Sequence, residues 1–403
     1  RLLGNQKYDQ LEWPDRLEEF FPFAEWVLPN YRFNTVVGHV RFLDSEQERP
    51  VKVTPVPKTL KTPRIIAIEP ACMQFMQQAV KNALVQVLDR EAVKPLKGPN
   101  PEEGSAPSRG ENRGNKIQFI GFADQNPNRV MAKRGSEDGS FATLDMSEAS
   151  DRVSNQHVSA LLSRWPLLQE AVMRTRSTKA DVPGHGVIPL AKFASMGSAL
   201  TFPLEAMVFT VATLMGVEDS RGTPLTLHEV NDLRGKVRVY GDDIIVPSEY
   251  APSVVSRLES FGFRLNRSKS FWNGKFRESC GGDYYSGEWV TPIYLRRVIP
   301  ATRKNAEEVS SLVAFRNQLY QAGLWDTARY LDDKITHIMG GLFPVVEASS
   351  PVLGRHSFLP YQQDRMCPKT HSPLVRGYVR SDRKPVSKFE TEHGPLMKTL
   401  MML

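Results

Sequence analysis

Apolar residues alternate with polar ones from Lys236 to Tyr240, and a second apolar run occupies 244–246. Between them stands "GDD", Gly241-Asp242-Asp243. Period-two alternation broken by a glycine predicts strand–turn–strand, with Val237, Val239, Ile244 and Val246 facing a core. Residues 71–90 follow a different rhythm. Met73, Met76, Val80, Leu84 and Val87 recur at three- and four-residue spacing, which predicts an amphipathic helix. Residues 51–70 combine β-branched residues with prolines and read as short strands and loops. "FATLDMSEASD" (141–151) is an apolar strand ending in acids, and a helix interrupted at Pro166 is expected to follow as far as Arg176. A hairpin is expected at 181–193, and at 194–215 a small-residue loop running into a helix. Ser253 is expected to cap a helix whose apolar face is Val254, Val255, Leu258 and Phe261. Residues 305–340 are helical in pattern. Residues 98–115 read as a flexible Gly/Pro/Ser loop. The last sixty residues are irregular and basic, residues 1–50 carry aromatics without a usable motif, and no repeats occur.

The 403 residues include 40% hydrophobic and 24% charged, a globular balance, with a net charge of +7 that suits a polyanionic partner. Three cysteines (Cys72, Cys280, Cys367) make neither a disulfide framework nor a zinc site, so a reducing, intracellular setting is expected. No signal peptide is visible, and the longest apolar stretch carries Glu205 and reads as too short and polar for a bilayer. The chain opens on Arg1, which points to a missing N-terminus.

Two adjacent carboxylates on a tight turn repel each other unless a cation neutralises them. Mg2+, a hard ion that takes oxygen ligands, does so. Taken alone, "GDD" is equally an ordinary turn with its charges in water. A second acidic strand end changes the balance: Asp145 stands where an apolar strand emerges from a core. Two-metal phosphoryl transfer uses carboxylates from separate strands to hold ions about 4 Å apart. Asp145 and Asp242 are the natural bridging ligands, with Asp243 auxiliary, although Asp145 could instead belong to a helix N-terminus with Ser147 and Asp151.

Three weaker signals accompany these. "SMGSALTF" (195–202) has the small residues Ser195, Gly197, Ser198 and Ala199, which let backbone approach a substrate; small residues also serve helix packing. Lys58, Lys61 and Arg64 form a cationic run suited to phosphate, or a solvated face. Lys269 in "NRSKSF" could protonate a departing pyrophosphate, or be a surface lysine.

The ordered blocks "VPK…R.IAIEP", "LDMSEASD", "SMGSALTF", "YGDD", "SKSF" and "FRESCGGDYYSG" resemble the RNA-directed RNA polymerases of positive-strand RNA viruses. The nearest likeness is to the catalytic (beta) subunit of levivirus replicases, the Qβ and MS2 type, with narnavirus and mitovirus polymerases next. It runs from about Val56 to Arg297. "GDD" is common to the class, whereas "IAIEP" and "FRESCG…YYSG" are more specific to leviviruses.

The resemblance implies an α+β right-hand fold of fingers, palm (an antiparallel sheet backed by helices) and helical thumb. The corresponding divisions are a partial N-terminal region at 1–50, fingers at 51–140, palm at 141–275 with finger insertions at 155–193, and palm end, thumb and tail at 276–403. By this similarity Asp145, Asp242 and Asp243 bind two Mg2+ ions, with Mn2+ a possible substitute. Lys58, Lys61 and Arg64 meet the triphosphate, and Asp151 helps sense the ribose. Ser195, Gly197 and Ser198 belong to a flexible nucleotide-binding loop, Lys269 donates a proton to pyrophosphate, and "FRESCG" cradles the primer or product end. Ser198 departs from the usual Asn, which puts ribose selection at that position in doubt. The implied partners are template and nascent RNA, nucleoside triphosphates, host elongation factors Tu and Ts and an OB-repeat ribosomal protein, in a bacterial cytoplasm and without a membrane. A reverse transcriptase is the alternative; it usually places a bulky residue after the first aspartate, where this chain has the open "MSEASD". A catalytically inactive RNA-binding palm protein would be expected to have lost a metal aspartate, and none is lost.

Overall fold

In the computed structural model, residues 11–57, 63–88, 118–359 and 364–380 are described. The first elements are β1 (Glu12–Pro14), the one-turn helices α1 (Asp15–Glu18) and α2 (Phe23–Trp26), and β2 (Arg41–Leu43), parallel to β1. The aromatic run without a motif is a core anchor. Trp13 and Leu17 are fully buried, and the Trp13 indole N–H donates to the Phe21 carbonyl at 3.2 Å.

Strands β3 (Val51–Pro57) and β4 (Pro63–Ile68) lead into helix α3 (Ala71–Leu88). The predicted stripe of α3 is buried at Met73, Met76, Val80 and Leu84, but Val87 is 74% exposed. Helix α4 (Asn126–Asp138) stops at Gly139, whose φ of 75° suits a left-handed C-cap. Strand β5 (Phe141–Ser147) follows. The expected interrupted helix is three pieces: α5 (Ala149–Arg152), α6 (Asn155–Leu162) and α7 (Pro166–Thr175). Pro166 opens α7, where its missing N–H costs nothing, and Ser154 caps α6 by accepting from the His157 N–H at 3.2 Å. The expected hairpin is β6 (Lys179–Val182) with β7 (Gly186–Pro189).

Helix α8 (Thr201–Arg221) is 21 residues long. By length and composition it is long enough to cross a membrane, which corrects the shorter reading of the sequence, but most of it is buried in the protein. Helix α9 (Leu227–Asp232), strands β8 (Arg238–Tyr240) and β9 (Asp243–Pro247), helix α10 (Ala251–Ser260) and β10 (Arg264–Leu265) come next. Tyr250, not Ser253, occupies the N-cap position of α10; Pro252 takes the first turn and Ser253 lies inside the helix. Val254, Val255 and Leu258 are buried as expected. A three-stranded sheet, β11 (Phe276–Ser279), β12 (Gly282–Tyr285) and β13 (Glu288–Trp289), follows.

The described residues divide into two units, 11–56 with 65–291, and 57, 63–64 with 292–380. The first is organised on an antiparallel sheet of order β10-β5-β9-β8. Ala142, Leu144, Met146, Ile244 and Val246 share one core with the buried residues of α8 and α10, while Phe141 and Ile245 pack with Met131 of α4 on the opposite face. By the same alternation Asp145 and Asp243 belong to the face carrying Phe141 and Ile245. The second unit holds α11 (Ala306–Gln321), α12 (Trp325–Ile338) and the short strands β14 (Arg365–Met366) and β15 (Pro373–Leu374). In it the buried Arg316 forms a two-pronged ion pair with Asp332 at 2.6 and 2.8 Å. Cys72, Cys280 and Cys367 are free thiols.

Candidate active site

Tyr240 pairs with Asp243 across the β8–β9 ladder, leaving Gly241 and Asp242 as a two-residue loop. Val237, Val239, Ile244 and Val246, which hold the loop in place, are all fully buried. Gly241 has a φ of 61°, and a Cβ there would lie 2.5 Å from the Phe202 ring. Glycine is thus required twice, for backbone conformation and for space. Asp242 is exposed at the tip of the loop. Asp243 sits directly opposite Asp145 of β5. Like charges facing each other across a ladder destabilise it.

The surroundings partly offset this repulsion. Asp243 accepts the Cys280 N–H at 3.2 Å and the Ser279 hydroxyl at 3.4 Å. Burial, then the charges of Asp242, Glu278 and Asp145, push its carboxyl up to about 7. Asp145 accepts the side-chain amide of Asn266 at 2.7 Å, and its own N–H donates to the Ser270 hydroxyl at 3.0 Å. The "NRSKS" turn therefore grips Asp145 through Asn266 and Ser270, which sequence reasoning did not single out. Lys269 in the same turn is exposed, and its charge pulls down the carboxyls of Glu278 and Asp283, both raised first by burial.

A further carboxyl escaped the sequence reading. Glu205 of α8 is 6% exposed, and its Oε2 has no hydrogen-bond partner among the described residues. Burial, then the charges of Asp242 and Asp151, push it up to about 8. It lies one turn beyond Phe202, the residue against the Gly241 loop, and so shares that face of the helix. The available signal was an acid within an otherwise apolar run.

The "FRESCG" segment forms β11 and the turn into β12. Cys280 and Gly281 have φ of 49° and 70°, the pattern of a two-residue hairpin loop with positive φ at both positions. A cysteine in that region is strained. Its carbonyl accepts from Arg129 of α4 at 2.9 and 3.1 Å, and its N–H serves Asp243. Arg277, 1% exposed, donates to the carbonyls of Phe141, Gly274 and Phe276 at 2.5–3.0 Å and so ties the hairpin to β5.

The remaining predicted residues fall in different places. Lys58 and Lys61 lie outside the described residues. Arg64 is exposed on β4 and groups with the second unit. Asp151 of α5 is ion-paired with Lys192, a cation the sequence reading passed over. Ser195, Gly197 and Ser198 share the loop that enters α8. The Ser195 carbonyl accepts the Ser198 N–H at 3.1 Å and the Thr201 hydroxyl at 2.8 Å. Gly197 has a φ of 135°, and a Cβ there would stand 2.0 Å from the Ala67 carbonyl oxygen. The Ser198 hydroxyl donates to buried Gln77 at 2.9 Å. In the first unit, then, the structure sets Asp145 and Asp243 opposite each other with Asp242 at the adjoining tip, but among the described residues it gathers no three acidic, histidine or cysteine side chains around one point.

Comparison with known proteins places this geometry in a family. The family described as "RNA replicase, beta-chain" matches residues 113–331, which include the three aspartates, the Ser195–Ser198 loop and the β11–β12 hairpin. The chain is 32% identical over 284 residues to the RNA-directed RNA polymerase subunit beta of Qbeta virus (strain MX1), covering 69% of this chain and 40% of that one. It is 33% identical over 280 residues to the corresponding subunit of Escherichia virus Qbeta, covering 68% and 40%. Over 180 residues it is 39% identical to the RNA-directed RNA polymerase beta chain of Escherichia phage MS2, covering 45% and 30%. The chain therefore spans about two fifths of the length of the first relatives. Since more than half of its residues match, including those that build the carboxylate site, the chain belongs to the RNA replicase beta-chain family.

Proposed function

We propose that this chain is the catalytic part of an RNA-directed RNA polymerase that copies a positive-strand RNA phage genome. It would be built as a right hand, with the β10-β5-β9-β8 sheet as palm and α11 and α12 in a helical thumb. The observation that carries the reading is the meeting of Asp145 and Asp243 across one ladder, with Asp242 on the adjoining loop.

The donor set fits a hard divalent cation. Three carboxylates bring oxygen only, and Asp243 is pushed up by burial and then by its acidic neighbours, a repulsion that a cation relieves. Among the described residues no three acidic, histidine or cysteine side chains are already gathered around one point. Mg2+ is commonly held by one or two carboxylates together with waters and substrate phosphates, so it would draw on only part of this set at a time. Asp145, Asp242 and Asp243 would hold two Mg2+ ions, or Mn2+ in their place, which when bound activate a 3′-hydroxyl and neutralise developing charge on pyrophosphate.

The chain's own residues do the positioning. Asn266 and Ser270 fix Asp145, and Cys280 and Ser279 fix Asp243. The 3′-hydroxyl would give its proton to water as its oxygen bonds to the α-phosphorus and the bond to pyrophosphate breaks, and Lys269 would supply the proton to the leaving group. Asp151, with Lys192, would face the ribose beside the Ser195–Ser198 loop, and Lys58, Lys61 and Arg64 would meet the triphosphate. Template and product RNA would lie along basic surface, with salt-dependent affinity. The resemblance adds elongation factors Tu and Ts and an OB-repeat ribosomal protein as partners, in the cytoplasm of a bacterial host.

The test is incorporation of labelled nucleotides on a primed RNA template, with and without Mg2+, beside Asp242→Asn. Mg2+-dependent synthesis from NTPs that Asp242→Asn loses while still binding RNA is the expected result. Synthesis from dNTPs alone would replace the reading with a reverse transcriptase, and synthesis retained in Asp242→Asn would overturn the assignment of the aspartates.

A further inference from the structure

Gln77 stands on the apolar stripe of α3, between Met73 and Val80, and is fully buried. A buried carboxamide is costly unless its two donors and its acceptor oxygen are used. Here the oxygen and one donor have partners. The amide nitrogen donates to the Thr175 carbonyl at 2.9 Å and lies beside the half-buried carboxyl of Glu69, whose charged form it favours and which accepts the Ser177 hydroxyl at 2.5 Å. The oxygen accepts the Ser198 hydroxyl at 2.9 Å and the Ala199 N–H at 3.2 Å. The orientation of the amide is unambiguous, because a carbonyl faces its nitrogen and a peptide N–H its oxygen.

One side chain thus ties α3 to two segments distant in sequence, the end of α7 and the loop entering α8, beside Glu69 of the "IAIEP" stretch. The same loop is held from another side. The Ala67 N–H donates to the Met196 carbonyl at 2.8 Å, and Gly197 rests on the Ala67 carbonyl without room for a Cβ. The Ser198 hydroxyl gives its one proton to Gln77 and accepts the Leu200 N–H at 3.3 Å, so as it stands it has no proton to donate to a ligand.

We infer that Gln77 is a positioning residue for nucleotide binding: it fixes the Ser195–Leu200 loop in its binding conformation, and Ser198 acts through this internal hydrogen bond rather than by touching the nucleotide. The inference rests on the polymerase reading. It assigns to α3, outside the small-residue motif itself, control over nucleotide affinity.

The test uses steady-state incorporation by Ser198→Ala, Ser198→Thr, Gln77→Met and the double variant Gln77→Met/Ser198→Ala, with melting temperature measured on each. Losing one internal hydrogen bond is expected to raise the KM for NTPs about threefold to tenfold in Ser198→Ala, with kcat within about twofold. Ser198→Thr, which keeps the hydroxyl, should restore the KM. Gln77→Met should raise KM further, and the double variant should match Gln77→Met alone, because both changes break one clasp. Effects that multiply in the double variant would mean that Ser198 acts independently of Gln77 and would overturn the inference. An unchanged KM in Ser198→Ala, with only a lower melting temperature, would also overturn it. Should Gln77→Met fail to fold, Gln77→Glu takes its place in the cycle, and an unchanged KM in Ser198→Ala still overturns the inference. Failure of the wild-type chain to incorporate NTPs would instead strike the polymerase reading.

Discussion

Glu205→Gln offers a direct measure of the strain stored at the site. The unfolded chain loses the Glu205 proton near 4.5, whereas the folded protein keeps it until about 8. Between those pH values the folded state holds a proton that the unfolded state has released, so stability falls as pH rises from about 4.5 to about 8 and then levels off. At about 1.4 kcal/mol per pH unit, roughly 3.5 units amount to about 5 kcal/mol. The residue is 6% exposed, so solvent screening removes little of this. Glutamine has nearly the same shape and never ionises. Wild type and Glu205→Gln should therefore be similar near pH 5, while at pH 8.5 the variant should be more stable by up to about 5 kcal/mol, or about 6 °C in melting temperature. Scanning calorimetry at pH 5, 7 and 8.5 without divalent ions measures this. Asp243, raised to about 7, lowers stability in the same direction in both proteins, so the difference between them isolates Glu205. A difference that does not change with pH would refute the reasoning and show that the folded protein solvates or pairs the carboxylate.

Other expectations concern the turns and the acid. Gly241→Ala should destabilise by about 2–4 kcal/mol, since alanine meets both a positive φ and the Phe202 ring; unfolding midpoints equal to wild type would show that the turn can shift. Cys280→Gly should leave stability unchanged or raise it by up to about 1 kcal/mol by relieving a φ of 49°, and a loss above about 2 kcal/mol would mean that the buried side chain contributes more by packing than the backbone loses in strain. Lys269→Leu should slow single-turnover incorporation without abolishing it; an unchanged rate would remove its role as proton donor. In chelator-treated protein, added Mg2+ should raise the melting temperature of wild type but not of Asp242→Asn. Equal shifts would place the binding elsewhere.

The β8–β9 hairpin was legible from sequence because its signals are local. Strand alternation, a glycine where positive φ is needed, and β-branched anchors all act within a dozen residues. The buried stripe of α3, the strand that ends at Asp145 and the apolar face of α10 were legible for the same reason. Local rules erred where local alternatives were close in energy. Ser253 is a good cap, yet Pro252 and Tyr250 define the helix start; Val87 fits the stripe, yet among the described residues it is left exposed at the helix end.

The sequence by itself thus determined which residues are acidic, which strands they end, and the order of blocks that marks the replicase family. Only the tertiary structure decided what those residues experience. Asp145 is gripped by Asn266, 121 positions away; Asp243 by Cys280, 37 away; and the small-residue loop by Gln77, 121 away. Glu205 was one acid in an apolar helix until folding placed it, desolvated, near Asp242 and Asp151. Propensity and periodicity are short-range and survive in a linear reading. Desolvation, charge coupling and hydrogen-bond partnership depend on what packs alongside, and chain closure alone supplies that.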